Sequence, residues 1–186
     1  IDYLTPGWTD YKKRVYYNTF DVTRAIKTGD NVLGALIAQG WYAGYYAWGL
    51  NHTWYGKHPR LLVQLDIEFA DGSKQTVVTD DSWKCSYGPW LGADLIIGSA
   101  YDSTREMHGW AKPDVDDSSW HAPVVADSPK IKISAYPGDP VRIDQELHAK
   151  KITVPAPDTY VFDLGQNMVG WIRLHIHADR GDKIVL

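Results

Sequence analysis

Short strand-like segments separated by glycine and proline limit the folds open to this sequence more than any other feature. The chain holds sixteen glycines and ten prolines, and no long stretch repeats apolar residues at helical spacing. Asp71-Gly72 is a strong hairpin signal between an alternating segment at 60–69 and a returning strand at 75–79. Further strands are predicted at 14–20, 31–38, 83–87, 160–163, 170–177 and 183–186, with a short helical turn at 21–26. This pattern predicts an all-β fold, an antiparallel sandwich or jelly roll.

The length and the distribution of proline predict one domain and part of a second. The chain has 186 residues, and five of its ten prolines lie between positions 127 and 159. We assign residues 1–125 to a jelly-roll domain, 126–157 to a Pro-rich connector and 158–186 to the N-terminal part of a second β-domain. Within that last part, Phe162 to Leu186 is expected to form a strand–turn–strand unit. Because the first residue is Ile1 rather than Met, we expect the chain to begin inside a longer parent.

Charge, hydropathy and cysteine content exclude several classes of partner. The formal net charge of −4 offers no basic surface for nucleic acid or an anionic membrane. No apolar run approaches the roughly 18 residues of a membrane span, and no signal peptide is visible. The single cysteine, Cys85, cannot form a disulfide within the chain. Its position in a strand pattern predicts a buried, small apolar side chain.

The segment from Gly40 to Gly56 is the richest candidate for ligand contact. It holds seven Trp or Tyr residues interleaved with four glycines. Trp and Tyr rings can stack on the apolar face of a sugar, and Gly lets the backbone approach a ligand closely. We predict Trp48 or Trp54 as the platform, with Asn51 and His52 supplying directional hydrogen bonds. The alternative is a long loop that docks on a neighbouring domain, since aromatic residues also mark interfaces.

No catalytic residue is predicted. A nucleophile elbow, a phosphate-binding Gly-rich loop and a helical zinc motif are absent from the sequence. Carboxylates cluster at 80–81, 94, 102, 106 and 114–117, but their spacing gives no acid/base pair facing a sugar, and Asp116-Asp117-Ser118 is typical of a turn. His175 and His177 share a strand face, which is half of a metal site or, more simply, a solvent-exposed edge.

Several motifs, in order along the chain, resemble the N-terminal β-sandwich region of bacterial α-L-rhamnosidases, glycoside hydrolase family 78. The final motif, Phe162-Asp-Leu-Gly-Gln-Asn-Met-Val-Gly-Trp171, resembles the opening of the next β-domain in those enzymes. The others are 8–11, 21–23 with 29–33, 40–44, 101–102 with 105–106, and 109–110 leading to 116–120. The 21–23 segment is common to galactose-binding-like jelly rolls, which is the sandwich type that the resemblance implies.

The resemblance implies that this is a non-catalytic region of a multi-domain enzyme that removes terminal α-L-rhamnose from glycans or glycosides with inversion. Paired acids in a C-terminal (α/α)6 barrel would perform the chemistry, so that barrel and a rhamnose-containing glycan are the expected partners. The alternative is a purely structural domain that orients and shields the barrel and binds no sugar. The family also suggests a periplasmic or extracellular location.

In some family members the first sandwich binds rhamnose in a calcium-dependent way. By this resemblance Tyr101 joins the predicted sugar-binding residues, and Asp94 and Asp102 are candidate calcium ligands. No other cofactor is expected. Where the family tends to show an acidic residue after the glycine that precedes Tyr-Asp, this chain has Ser99.

Overall fold

A computed structural model describes residues 3–46 and 51–186. The predicted platform residue Trp48 lies outside the described residues. The described elements are one short helix, one 3₁₀ turn and ten strands. They are β1 (Arg14–Tyr17), α1 (Gly40–Ala43), β2 (Tyr45–Tyr46), β3 (Asn51–His52), β4 (Gln64–Glu68), β5 (Lys74–Val78), β6 (Trp90–Asp94), β7 (Gly98–Tyr101), the 3₁₀ turn (Ser103–Arg105), β8 (Lys132–Ala135), β9 (Lys151–Ala156) and β10 (Thr159–Asp163).

The strands form five two-stranded sheets, and the all-β class predicted from the sequence is confirmed. Four sheets are antiparallel hairpins: β2–β3, β4–β5, β6–β7 and β9–β10. The fifth pairs β1 with β8 in parallel, with Arg14 opposite Lys132 and Tyr17 opposite Ala135. The jelly-roll arrangement of these sheets stays a prediction.

The β4–β5 hairpin forms where Asp71-Gly72 predicted it. Its register runs from Gln64 opposite Val78 to Glu68 opposite Lys74. The turn between the strands needs a residue with positive φ, and Gly72 supplies one at +83°. The Asp71 carboxylate accepts hydrogen bonds from the backbone N–H of Ser73 at 2.9 Å and from its hydroxyl at 2.6 Å. Turn chemistry and strand pattern therefore agree at this hairpin.

The β6–β7 hairpin corrects the prediction that residues 88–123 are poor in strands. Its strands contain Gly92, Ala93, Gly98 and Ala100, residue types that are depleted in strands, so side-chain preference does not predict a hairpin here. The backbone ladder forms nevertheless, and it extends one step further where the Asp102 N–H donates to the Pro89 carbonyl at 2.9 Å. Hydrogen bonding between neighbours, rather than side-chain preference, makes this hairpin.

Four predicted strands are wrong. Within the described residues, 31–38, 170–177 and 183–186 form no strand, and 83–87 contributes only an isolated bridge between Cys85 and His121. The strand–turn–strand unit expected from Phe162 to Leu186 is therefore not formed, because Phe162 belongs to the end of β10. Apolar alternation at 170–177 creates an amphipathic segment, but a strand also requires a hydrogen-bonded neighbour, which this segment lacks among the described residues.

The chain divides into two compact units, Asp2–Pro140 and Val141–Leu186. In the first unit, β8 lies in the predicted connector and pairs with β1 near the beginning of the chain. In the second, β9 and β10 form a hairpin, and Arg173 pairs with Glu146 at 3.1 Å. The domain boundaries at 125 and 157 stay predictions.

Burial is greatest around α1. Among the described residues only Ala43, with 7% of its surface exposed, and Gly44 are buried. The aromatic side chains before and after them in α1 and β2 are half-buried. In the described part of the chain, no helix is long and apolar enough to cross a membrane.

Candidate functional site

The aromatic segment folds as α1 followed by the tiny β2–β3 hairpin. Tyr45 lies opposite His52 and Tyr46 lies opposite Asn51 in this hairpin. The helix ends at Ala43, and the N–H of the next residue, Gly44, donates to the carbonyl of Gly40 at 3.1 Å. A Cβ at position 44 would lie 2.6 Å from the Cβ of Asp94, so a glycine is needed for β6 to approach this closely.

Asp94 ties this segment to the β6–β7 hairpin. Its Oδ2 accepts a hydrogen bond from the Tyr45 N–H at 3.3 Å, 49 residues away in sequence. Its Oδ1 accepts from the N–H groups of Ile96 at 2.7 Å and Ile97 at 2.6 Å. A second link joins the Gln39 side-chain carbonyl to the Ala93 N–H at 2.9 Å. These hydrogen bonds fix the start of the β2–β3 hairpin against the end of β6.

Seven aromatic rings from residues 8–11 and 41–55 pack together, and we call them the aromatic cluster: Trp8, Tyr11, Trp41, Tyr42, Tyr46, Trp54 and Tyr55. Tyr46 is central, since its ring stacks on Trp8 at 6.4 Å and on Trp54 at 6.3 Å between centroids. Trp41 and Tyr55 meet the same ring edge-on, at 5.8 and 5.9 Å. These separations are those of ordinary aromatic pairs, so the cluster packs largely on itself.

Tyr11 contacts two other rings of the aromatic cluster, those of Tyr55 and Tyr42. Its ring meets Tyr55 edge-on at 4.9 Å and Tyr42 at 5.8 Å. Burial raises the pKa of Tyr11, and the neighbouring Tyr55 phenol raises it further. Burial is also the main cause that raises the pKa of Tyr55. Both phenols therefore remain protonated at neutral pH and can donate hydrogen bonds.

Three of the predicted sugar-contact residues lie together at the edge of this cluster. Asn51 and His52 are exposed on β3, and the His52 ring lies 5.5 Å from the Tyr45 ring. Trp54 keeps 56% of its surface exposed, and the Lys12 ammonium lies 4.8 Å from the centroid of its ring. An exposed indole beside an amide and an imidazole is an arrangement that can contact a sugar.

Tyr101 and Asp102 lie elsewhere. Register pairs Asp94 with Gly98 at one end of the β6–β7 hairpin and Trp90 with Tyr101 at the other. Four residues of strand separate these ends by about 13 Å. The Tyr101 ring meets Trp90 edge-on at 4.8 Å, and its hydroxyl donates a hydrogen bond to Glu106, which raises the pKa of Tyr101. The structure therefore does not bring Tyr101 to the aromatic cluster.

The two candidate calcium ligands do not form one site. The Asp94 carboxylate is committed to three backbone N–H groups. Asp102, at the far end of the hairpin, caps the 3₁₀ turn through the Thr104 N–H at 3.0 Å and pairs with Arg105 at 3.2 Å. Calcium prefers six to eight oxygen ligands, and no group of three or more His, Cys, Asp or Glu suited to a metal occurs among the described residues. Calcium binding stays a prediction.

The carboxylates behave as turn and cap residues. Hydrogen bonds from Ser or Thr two residues later are the main cause that lowers the pKa of Asp21, Asp71, Asp80, Asp102 and Asp116, and the side chains of Gln64 and Thr76 lower that of Asp66. The turn predicted at 116–118 is confirmed by the Ser118 N–H, which donates to Asp116 at 3.0 Å. A general acid needs the opposite, a raised pKa.

Two other sequence interpretations are resolved. Cys85 is exposed rather than buried, because the isolated bridge to His121 holds only its backbone and leaves the thiol at the surface. His175 and His177 are exposed in a segment without strand pairing, so they share no strand face.

Sequence reasoning missed the contribution of Trp8, Tyr11 and Lys12 to the candidate site. Their aromatic and cationic character was the available signal, but only the fold places them beside residues 41–55.

Two known protein families match this chain. Residues 2–145 match the family described as the α-L-rhamnosidase N-terminal domain. Residues 153–186 match the bacterial α-L-rhamnosidase concanavalin-like domain. The whole chain aligns with an α-L-rhamnosidase of Streptomyces avermitilis at 46% identity over 186 residues, covering 18% of that protein. An α-L-rhamnosidase of Alteromonas sp. (strain LOR) is 41% identical over 187 residues, covering all of this chain and 20% of the relative.

Solved structures of α-L-rhamnosidases are also similar to this chain. The crystal structure of the Streptomyces avermitilis α-L-rhamnosidase complexed with L-rhamnose superposes with a TM-score of 0.81 at 42% identity, over 90% of this chain and 16% of that one. The structure of an α-L-rhamnosidase from Dictyoglumus thermophilum gives a TM-score of 0.75 at 38% identity, over 88% and 18%. The chain spans about a fifth of the length of the curated relatives it matches.

Proposed function

Because the chain belongs to the α-L-rhamnosidase family and matches the N-terminal region of its members, we propose that it is a non-catalytic part of a glycoside hydrolase that removes terminal α-L-rhamnose. The observation that supports this proposal is the state of the carboxylates. Every described carboxylate with a resolved pKa shift has a lowered pKa. Glycoside hydrolysis needs one carboxyl group that stays protonated to act as an acid.

The experiment is an assay of the purified chain with a chromogenic aryl α-L-rhamnoside. We expect no hydrolysis above the buffer rate, with near-ultraviolet circular dichroism of the nine Trp residues as the control for folding. Hydrolysis that disappears when a single Asp or Glu of this chain is changed to its amide would overturn the proposal.

We further propose that Trp54, at the exposed edge of the aromatic cluster, contacts the sugar together with the neighbouring side chains of Asn51 and His52. One ring face stacked on a sugar contributes on the order of 1 kcal/mol, so binding by this edge is weak. In a titration with L-rhamnose, the wild-type chain should change its Trp fluorescence and Trp54→Ala should not. Tyr87→Ala is the matched control, because Tyr87 is 96% exposed and lies outside the cluster.

The second candidate function is structural, and the ring-to-ring contacts of Tyr46 favour it. The Tyr46 ring already packs on Trp8 and Trp54, and these contacts stabilise the segment 41–55 without a ligand. If this is the whole function, L-rhamnose changes no fluorescence in the wild-type chain, and Trp54→Ala instead lowers the melting temperature. Repeating the titration with a calcium chelator tests the predicted calcium dependence, since binding through a calcium ion would be lost on chelation.

A further inference from the structure

A cleft in the unit Val141–Leu186 carries polar groups that the proposed function does not use. It is formed where the segment after β10 folds back beside the β9–β10 hairpin, and its volume is about 520 Å³. The cleft is open to solvent, because every lining residue except Leu164 is exposed. The lining residues are Lys151, Thr153, Val161, Phe162, Asp163, Leu164, Gln166, Asn167 and Met168.

Strand register explains one wall of the cleft. Val161 lies opposite Thr153, and Asp163 lies opposite Lys151. Directly opposed residues of an antiparallel pair point to the same side, and so do residues two positions apart on one strand. These four side chains therefore share one face of the hairpin, with Lys151 and Asp163 at one end and Thr153 and Val161 beyond them.

The turn after β10 supplies the other wall. The Asp163 carboxylate accepts a hydrogen bond from the Gly165 N–H at 2.7 Å, which reverses the chain directly after the strand. Gln166, Asn167 and Met168 follow this turn and line the cleft. Residues 166–168 of the motif at 162–171 thus line the cleft with amide and thioether side chains.

The polar groups of this cleft indicate what it would bind. Within the described residues, the amides of Gln166 and Asn167 and the ammonium of Lys151 form no hydrogen bond or ion pair. An amide offers both a donor and an acceptor, as does each hydroxyl group of a sugar. Lys151 and Asp163 balance each other in charge, so the lining favours a neutral ligand over an anion.

We propose that this cleft binds a neutral sugar. The amides of Gln166 and Asn167 hold two adjacent hydroxyl groups, and Val161 and Met168 contact the apolar C–H face. The inference rests on the proposed function, since it takes a glycoside-processing parent as the source of the sugar. It adds a carbohydrate site in the second unit, separate in sequence from the aromatic cluster.

The test uses the complete 186-residue chain, labelled with ¹⁵N and titrated with methyl α-L-rhamnoside. The side-chain NH₂ signals of Gln166 and Asn167 should shift with sugar concentration, whereas that of Gln145 should not. Gln145 is the matched control because it is an exposed amide in the same unit that does not line the cleft. Changing either amide to Ala should raise the Kd at the cleft about five- to tenfold, as expected for one lost hydrogen bond, and Gln145→Ala should leave it unchanged.

Three outcomes overturn the proposal: no shift at Gln166 and Asn167, an unchanged Kd in Asn167→Ala, or a shift produced by inorganic phosphate but not by the sugar. In Trp54→Ala the cleft signals should still respond, which separates this site from the aromatic cluster. If they respond only when Trp54 is present, the cleft proposal fails while the proposed function stands. Failure of the proposed function would appear instead as hydrolysis by this chain.

Discussion

Asp94 shows how one residue type supports two different interpretations. The family resemblance marks it as a calcium ligand, whereas the structure commits both of its oxygens to the N–H groups of Tyr45, Ile96 and Ile97. Sequence cannot distinguish the two, because a carboxylate in a loop is equally suited to a cation and to backbone donors. The contact that decides its structural role spans 49 residues, and no local pattern encodes it.

We therefore predict that Asp94→Ala destabilises the first unit by about 2 kcal/mol, because it leaves backbone donors without a charged acceptor. The free energy of unfolding from urea denaturation measures the change. Asp114→Ala is the control, since Asp114 is exposed and its carboxylate accepts no hydrogen bond within the described residues. Equal stability of the two variants would contradict the structural role.

Asp80 carries a prediction about pH. Hydrogen bonds from the Ser82 hydroxyl and N–H lower the pKa of Asp80 below 3.8, the usual value for an aspartate side chain. A carboxylate whose pKa is lower in the folded state contributes fully to the stability of that state at pH values above its unfolded pKa. It loses this contribution as the pH falls through its folded pKa. The free energy of unfolding should therefore fall as the pH drops below about 3.8.

Asp80→Asn should flatten this acid dependence, because the amide does not titrate. Urea denaturation at several pH values between 2.5 and 6 provides the measurement. A wild-type and an Asp80→Asn curve that run parallel throughout would show that this turn does not contribute to the acid dependence.

At the scale of elements, two hairpins explain what sequence can and cannot predict. β4 alternates apolar and polar residues and is followed by the turn signal Asp71-Gly72, so local pattern and turn type agree at this hairpin. β6 and β7 depend on Gly and Ala, and their pairing follows from backbone hydrogen bonds and the Asp94 contacts. The opposite error occurs at 170–177, where alternation is present and a neighbouring strand is missing among the described residues.

Glycines in these hairpins provide a matched pair of substitutions. Gly72→Ala should destabilise the chain by about 1 kcal/mol, because φ is +83° and a side chain disfavours that conformation. Gly92→Ala should be neutral or stabilising by up to about 1 kcal/mol, since a Cβ there meets open space and φ is not positive. Thermal unfolding of both variants gives the comparison, and a larger loss for Gly92→Ala would contradict the assigned backbone geometry.

At the scale of the whole molecule, the candidate site depends on segments far apart in sequence. The Gly40–Gly56 segment was recognisable from composition, and Asn51, His52 and Trp54 do lie together. Their neighbours Trp8 and Lys12 come from the beginning of the chain and Asp94 from another hairpin. Periodicity and composition describe single segments, so they could indicate the loop but not the residues that pack against it.

The pairing of β8 with β1 gives the last prediction, which concerns where the first domain ends. Lys132 donates its N–H to the Lys13 carbonyl at 3.0 Å, Tyr136 donates to Tyr17 at 3.0 Å, and the Tyr136 ring meets Tyr16 at 5.6 Å. A chain ending at 125 lacks this strand, whereas a chain ending at 140 keeps it. At roughly 1 kcal/mol for each hydrogen bond, the shorter chain should be less stable by at least about 2 kcal/mol.

Urea denaturation and hydrogen exchange of the β1 amides compare the two chains. We expect the chain ending at 140 to protect the β1 amides that bond to β8, and the chain ending at 125 to expose them, because unpaired strand N–H groups exchange with solvent. Stability and protection that are equal in the two chains would place the boundary at 125. In that case residues 126–157 would serve only as a connector, and the parallel pair would contribute nothing to the first domain.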